Sequence, residues 1–221
     1  LANASTVGFR ADTLSFASLP LYGTGQPSRV YPSTQGGGTD LSTGTLQTTG
    51  NSLDVAINGQ GWLAVQAPDG SEAYTRAGDL HVNEVGQLVT ASGYPVLGNG
   101  GPIAIPPAQS IEIGGDGTIS IRPVGQTAQA LAVLDRIKLV NPDPASLVKG
   151  SDGLMRMANG SAAPPDAGVT VVAGALESSN VNPVEAMVNM LEIARQYDLQ
   201  VKMMKTAQDN DASSAQTMQL K

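Results

Sequence analysis

The sequence predicts a mainly β fold: an antiparallel β domain, preceded by an extended Gly/Thr-rich segment and followed by one long C-terminal α-helix. Three observations carry that prediction. Residues 1–52 are crowded with Gly, Ser, Thr and Pro; from Leu53 to about Leu176, short apolar stretches alternate with turn chemistry; and the 38 residues after Pro183 contain no Gly or Pro. The predicted divisions are therefore 1–52 as a connecting segment, 53–176 as the β domain and 177–221 as the helical region.

In the first segment, "LANASTVGFRADTLSF" and "GTGQPSRVYPSTQGGGTDLSTGTLQTTGN" sustain neither a helical nor a strand period. Composition alone reads as a flexible linker, because such a stretch buries too little surface to offset its ordering entropy. The alternative is that Tyr22, Val30, Tyr31, Leu41 and Leu46 pin it to a neighbouring surface.

The β domain opens with "GWLAVQAPDGSEAYTRAG", read as strand, turn, strand, where Pro68-Asp69-Gly70 supplies a preset φ and then the Gly a tight turn needs. The next stretch, "DLHVNEVGQLVTASGYPVLG", continues the meander with reversals at Val85-Gly86 and Ser92-Gly93. A further hairpin is expected around Asp116-Gly117 in "SIEIGGDGTISIRP", where Ile111, Ile113, Ile119 and Ile121 alternate as one buried face should. The stretches "ALAVLDRIKLVNP", "GLMRMANG" and "GVTVVAGALES" supply the remaining strands. No internal repeat of fixed period is present.

The last segment begins with Asn182-Pro183-Val184-Glu185: Asn caps, Pro suits the first helical position, and Glu three residues on can reach back to the cap. At 1.5 Å per residue the helix is expected to be ~57 Å long, with fraying from the polar Gln208 onward. Met187, Met190, Ala194, Tyr197, Val201 and Met204 follow a 3-4 spacing, and Val184, Val188 and Leu191 widen the stripe near its start. A β domain of roughly 30 Å cannot cover a helix of that length. Each buried Met, Val or Leu contributes about 1.5–3 kcal/mol, so the exposed seam calls for partner helices.

Composition removes several function classes. Net charge is −7 and the 12 Lys and Arg are scattered, so the basic footprint of a nucleic-acid binder is missing. Apolar runs such as Val169–Ala173 are far shorter than the ~20 residues of a membrane-spanning helix, so no membrane insertion is expected. With no Cys and a single His, His81, neither a thiol nucleophile nor a His/Cys metal cluster is available; His81, between Leu80 and Val82, reads as a solvent-facing strand residue. The clusters "NGQG", "GNGG" and "GGDG" lack the Lys-Ser/Thr of a phosphate loop and read as turns.

Asp54, Asp69, Asp79, Asp116 and Asp152 read as turn-forming acids, three of them directly preceding Gly. A carbohydrate-active reading would require two acids converging in a cleft, and finding Asp54, Asp79 and Asp116 mutually remote would remove it. No catalytic residue, cofactor, metal site or small-molecule substrate is predicted. A second reading, in the binding-module class, is an extracellular β-rich adhesin or phage-tail-like subunit with a coiled-coil stem.

Four blocks of the chain resemble the axial proteins of the bacterial flagellum, the rod and hook group. The first, "LANASTVGFR", matches at Asn3, Thr6, Gly8, Phe9 and Arg10. The central block, "GTLQTTGNSLDVAINGQGWLAV", matches at Gly44, Leu46, Thr49, Gly50, Leu53, Asp54, Ala56, Ile57, Gly59 and Gly61. In "YTRAGDLHVNEVGQLVTASGYPVLG" the matching positions are Tyr74, Thr75, Arg76, Gly78, Gly86, Leu88, Gly93, Pro95 and Gly98, and "LESSNVNPVEAMVNMLEIARQYDLQVKMM" resembles the family's C-terminal helix motif. Within the group, Asn182 to Met187 followed by "ARQYDLQVKMMK" is similar to proximal-rod rather than distal-rod members.

The resemblance implies a structural subunit of the rod, exported by the flagellum's own secretion apparatus, that helps transmit torque. Terminal helices would form an inner coiled-coil domain around the export channel, with the β domain outside. Partners would be other proximal and distal rod proteins and copies of the same chain. The residues expected to carry subunit contacts are Asn180, Asn182, Pro183, Val184, Met187, Met190, Leu191, Ala194, Tyr197, Val201 and Met204. Family members carry a helix ahead of the Asn3–Arg10 block; this sequence starts at that block, so a preceding helix is expected upstream.

Overall fold

A computed structural model describes residues 2–20, 30–123 and 131–219. The chain divides into two compact units, Ala2–Val181 and the segment from Asn182 onward.

In the first unit the strands, in chain order, are β1 (Asp12–Pro20), β2 (Val30–Thr39), β3 (Leu46–Thr48), β4 (Val55–Asn58), β5 (Trp62–Gln66), β6 (Glu72–Thr75), β7 (Leu80–Val82), β8 (Leu88–Thr90), β9 (Leu97–Gly98) and β10 (Gly101–Pro102). They continue with β11 (Ala108–Ile113), β12 (Thr118–Pro123), β13 (Ala132–Arg136), β14 (Leu139–Val140), β15 (Leu147–Lys149), β16 (Met155–Met157), β17 (Thr170–Ala173) and β18 (Ala175–Glu177). The largest sheet has the order β14-β5-β6-β16-β15, beside a three-stranded sheet β11-β12-β13 and the pairs β1-β2, β3-β18, β4-β17, β7-β8 and β9-β10. Every one of these pairings is antiparallel.

Strand β5 shows why the body holds together. Successive side chains of a strand point to opposite faces. Leu63 and Val65 enter the main core with Val55, Ile57, Leu88, Val96, Ile103, Ile119 and Ile137, while Trp62 and Ala64 enter a second cluster with Tyr74, Val140, Met155 and Ala163. Both faces of the sheet are covered, so β5 reads as an unbroken apolar run. The main core is built largely from Val, Ile and Leu side chains.

The expected reversals form. Gly70, Gly86, Gly93 and Gly117 all take positive φ at the predicted turns, and Asp69 and Asp116 accept from the backbone N–H two residues on. Ile111 pairs with Ile121 and Ile113 with Ile119, and all but Ile111 are fully buried. His81 is exposed between buried Leu80 and half-buried Val82. Strand β15, absent from the sequence reading, forms because the 3-10 turn Pro144–Ser146 returns the chain alongside β16.

Among the described residues of 1–52, paired strands stand where composition suggested a flexible linker. β1 and β2 pair over nine and ten residues, and β3 zips onto β18. Periodicity failed there because β1 and β2 are exposed on both faces, so no buried face imposes an apolar alternation. Leu41 packs against the second cluster, whereas Tyr31 and Leu46 are exposed; Tyr22 and the side chain of Val30 lie outside the described residues.

The second unit is one α-helix, α1 (Pro183–Gln219), of 37 residues. Asn182 Oδ1 accepts from the backbone N–H of Val184 and Glu185, at 3.1 and 3.3 Å, so the predicted cap forms; the return bond from the Glu185 carboxylate does not. Past the polar Gln208 the helix runs on to Gln219. Thr206 and Ser213 donate their hydroxyls to the carbonyls of Lys202 and Asp209, one turn back, so these polar groups are satisfied on the helix itself.

Candidate functional site: a buried clasp and an uncovered helix

The signature blocks converge at one place in the β body. Glu177, at the end of β18, is 1% exposed. Its Oε1 accepts from Arg10 Nη2 at 2.5 Å and from the Gly44 N–H at 2.8 Å, and its Oε2 accepts from Arg76 Nη1 at 2.8 Å. Arg10 and Arg76 are 3% and 4% exposed and belong to segments far apart in the chain. One carboxylate thus ties three of the signature blocks to the fourth.

Two cations against one anion leave the cluster a net positive charge, and several contacts offset it. The Arg10 and Arg76 guanidiniums lie 5.8 and 5.6 Å from the centroid of the Trp62 ring, whose face attracts cations. Arg76 Nη2 donates to the Gly59 carbonyl. The Nε of each arginine has no acceptor among the described residues. Burial holds Arg76 below the usual arginine range, Glu177 pulls it back up, and Arg10 pushes it down again.

The backbone closes the same seam. Gly8 N–H donates to the Glu177 carbonyl, Asn180 N–H to the Phe9 carbonyl and Ser178 N–H to the Thr45 carbonyl. Two glycines make this approach possible. Gly8 has φ +64°, and a Cβ there would sit 2.3 Å from the Arg76 carbonyl carbon; a Cβ on Gly44 would sit 2.0 Å from the Ser178 carbonyl oxygen. Asn180 completes the clasp: its Oδ1 accepts from Ala11 N–H at 2.8 Å, and its Nδ2 donates to the carbonyls of Asp40 and Ser42. Lys149 on β15 adds an outer tie, donating to the Arg10 carbonyl and to the Asp12 carboxylate while lying over the Phe9 ring.

The residues expected to contact subunits fall in two places. Asn180 sits in the body, with its side-chain hydrogen bonds all internal. Asn182, Pro183, Val184, Met187, Met190, Leu191, Ala194, Tyr197, Val201 and Met204 share the second unit and are all exposed. Leu199 and Met203, one turn apart on the side opposite the seam, are exposed as well. Sequence reasoning had no role for Arg10, Arg76 and Glu177; their only signal was the oddity of charged residues inside otherwise apolar and glycine-rich motifs.

The acids examined for catalysis are not all remote from each other. Asp54 and Asp79 face one another across an antiparallel bridge, but Asp54 is already held on both oxygens by Thr49 Oγ1 and Asn51 Nδ2. Among the described residues no group of three or more acids and histidines is placed to hold a metal ion.

A β body whose motif residues clasp its own chain, with a long helix displaying apolar residues, has the features of a structural assembly subunit. The comparisons make that class specific. The family model described as "Flagellar hook protein FlgE/F/G D1 domain" matches residues 56–121, and "Flagellar basal body rod FlgEFG protein C-terminal" matches 172–217. The chain is 39% identical over 226 residues to the flagellar basal-body rod protein FlgF of Escherichia coli (strain K12), covering all of this chain and 90% of that protein. It is 34% identical to FlgF of Caulobacter vibrioides, covering 99% and 88%, and 36% identical to FlgG of Buchnera aphidicola subsp. Schizaphis graminum, covering 94% and 86%. The chain belongs to the flagellar basal-body rod protein family, as a structural subunit of the basal-body rod. The adhesin reading finds no support in these relatives.

Proposed function

We propose that this subunit enters the rod through α1, which packs against the helices of other axial proteins and of further copies of the same chain. The observation that carries the reading is exposure: Met190 is 60% and Val201 40% accessible, and the rest of the seam is open too. Apolar residues on one stripe would be met by one partner; Leu199 and Met203 on the opposite side fit a helix enclosed by several. Helices so packed, repeated head to tail without closing into a ring, build a shaft.

In this arrangement the terminal helix lies in an inner layer around the export channel, and the β body forms the outer layer, transmitting torque. The motif Asn182–Met187 supports a proximal position, with proximal and distal rod proteins as neighbours. The roles of Met187, Ala194, Tyr197 and Met204 are to fill the interhelical seam, and those of Asn182 and Pro183 to fix where it starts. No chemical step belongs to this function. The test is a pair of charged substitutions, Met190→Glu and Val201→Glu, introduced together. Cells are expected to lose motility while the purified β body keeps its fold; normal rod assembly in that strain would overturn the proposal.

A further inference from the structure

Elsewhere in the β body, two carboxylates share a partly buried seam. Asp54 is 8% exposed and Asp79 faces it across the bridge. The seam also carries structural bonds: Gly174 N–H donates to the Asp54 carbonyl, and Val55 N–H to the Gly78 carbonyl. The two acids are held differently. Asp54 accepts from Thr49 at 2.5 Å and from Asn51 at 2.9 Å, whereas Asp79 Oδ1 is buried and has no partner among the described residues. An unpartnered buried carboxylate oxygen beside a second carboxylate is costly when ionised and inexpensive when protonated.

We infer that Asp79 is the proton-carrying member of a carboxyl pair with Asp54, which makes the β body gain stability as the medium is acidified. The surroundings agree. Burial pushes Asp79 above the ordinary carboxylate range, and Asp54 pushes it the same way; the N–H groups of Asp79 and Ala91 and the nearby His81 act against them. Asp54 and His81 are the charged or titratable groups facing it, and Thr49 and Asn51 are neutral. Because the folded value lies above the unfolded one, this contribution is fully present below the ordinary 3.8 and is lost as the pH rises through the raised folded value.

Trp62, the single tryptophan, is buried in the body and reports its unfolding. Urea unfolding of the full chain, followed by Trp62 fluorescence from mildly acidic to neutral pH, should show wild-type stability falling as pH rises. Asp79→Asn, which replaces the charge by a neutral amide, should flatten that decline and lower the unfolding constant at neutral pH by roughly tenfold. Parallel profiles for the two proteins, or a less stable Asp79→Asn at neutral pH, would overturn the inference. Asp54→Asn provides a second test that keeps Asp79 in place: it should move the same transition toward lower pH, and an unmoved transition would exclude the pairing.

Discussion

The β body and the terminal helix treat their side chains in opposite ways. In the body, Val55, Leu63, Val65 and Ile119 are wholly buried, and even Arg10, Arg76 and Glu177 are internal and paired. In the helix, Met187, Met190, Leu191, Tyr197 and Met204 are all exposed. The body therefore buries a core of its own, although Phe16 and Tyr31 on β1 and β2 stay exposed, while the helix leaves its apolar residues open along its length. On the proposed function, substitutions in the two units should separate stability from assembly.

The largest effect is expected in the body. Replacing Glu177 with Ala leaves two buried guanidiniums without their anion, and should cost about 3–5 kcal/mol, read as a lower urea midpoint in Trp62 fluorescence. Gly44→Ala should follow, at roughly 1–3 kcal/mol, because its methyl group would press on the Ser178 carbonyl. An undiminished midpoint in either variant would break the claim that the body is held at this clasp.

On the helix side, Asn182→Ala removes a cap and should cost about 1 kcal/mol of local helix stability, visible as reduced helical circular dichroism with the Trp62 transition unmoved. Smallest in stability and largest in function, Met190→Glu with Val201→Glu should change the body's midpoint by less than about 0.5 kcal/mol while abolishing motility. At low pH the comparison sharpens again. Hydrogen bonds from Ser71, Thr118 and Arg156 hold Asp69, Asp116 and Asp152 below the usual carboxylate range. The stability these acids add is present above 3.8 and is lost as pH falls through their depressed values. Together with Asp79, whose contribution changes in the opposite direction above 3.8, this should give the body a stability maximum in mild acid.

Much of this was legible in the chain because local chemistry decides it. Asn182-Pro183 starts a helix by satisfying the first backbone donors, and Asp69-Gly70 and Asp116-Gly117 reverse strands by geometry available within four residues. The apolar seam of α1 followed from its 3-4 spacing, and its exposure from a helix too long for the β domain to cover. What periodicity could not reach was the β1–β2 pair, where no buried face stamps an alternation on the sequence, and the clasp, whose members are separated by up to 167 positions.

The sequence by itself determined where the turns, the buried strands and the helix fall, since each depends on the intrinsic preferences of a few neighbouring residues. It also identified the family, through motif blocks scattered along the chain. Only the tertiary structure decided what those motifs do. Arg10, Gly44, Arg76 and Glu177 lie in four separate blocks, and a charge becomes a structural tie only when folding removes its water and supplies its partner. The same is true of Asp79, an ordinary turn acid in the sequence that burial next to Asp54 turns into a proton carrier.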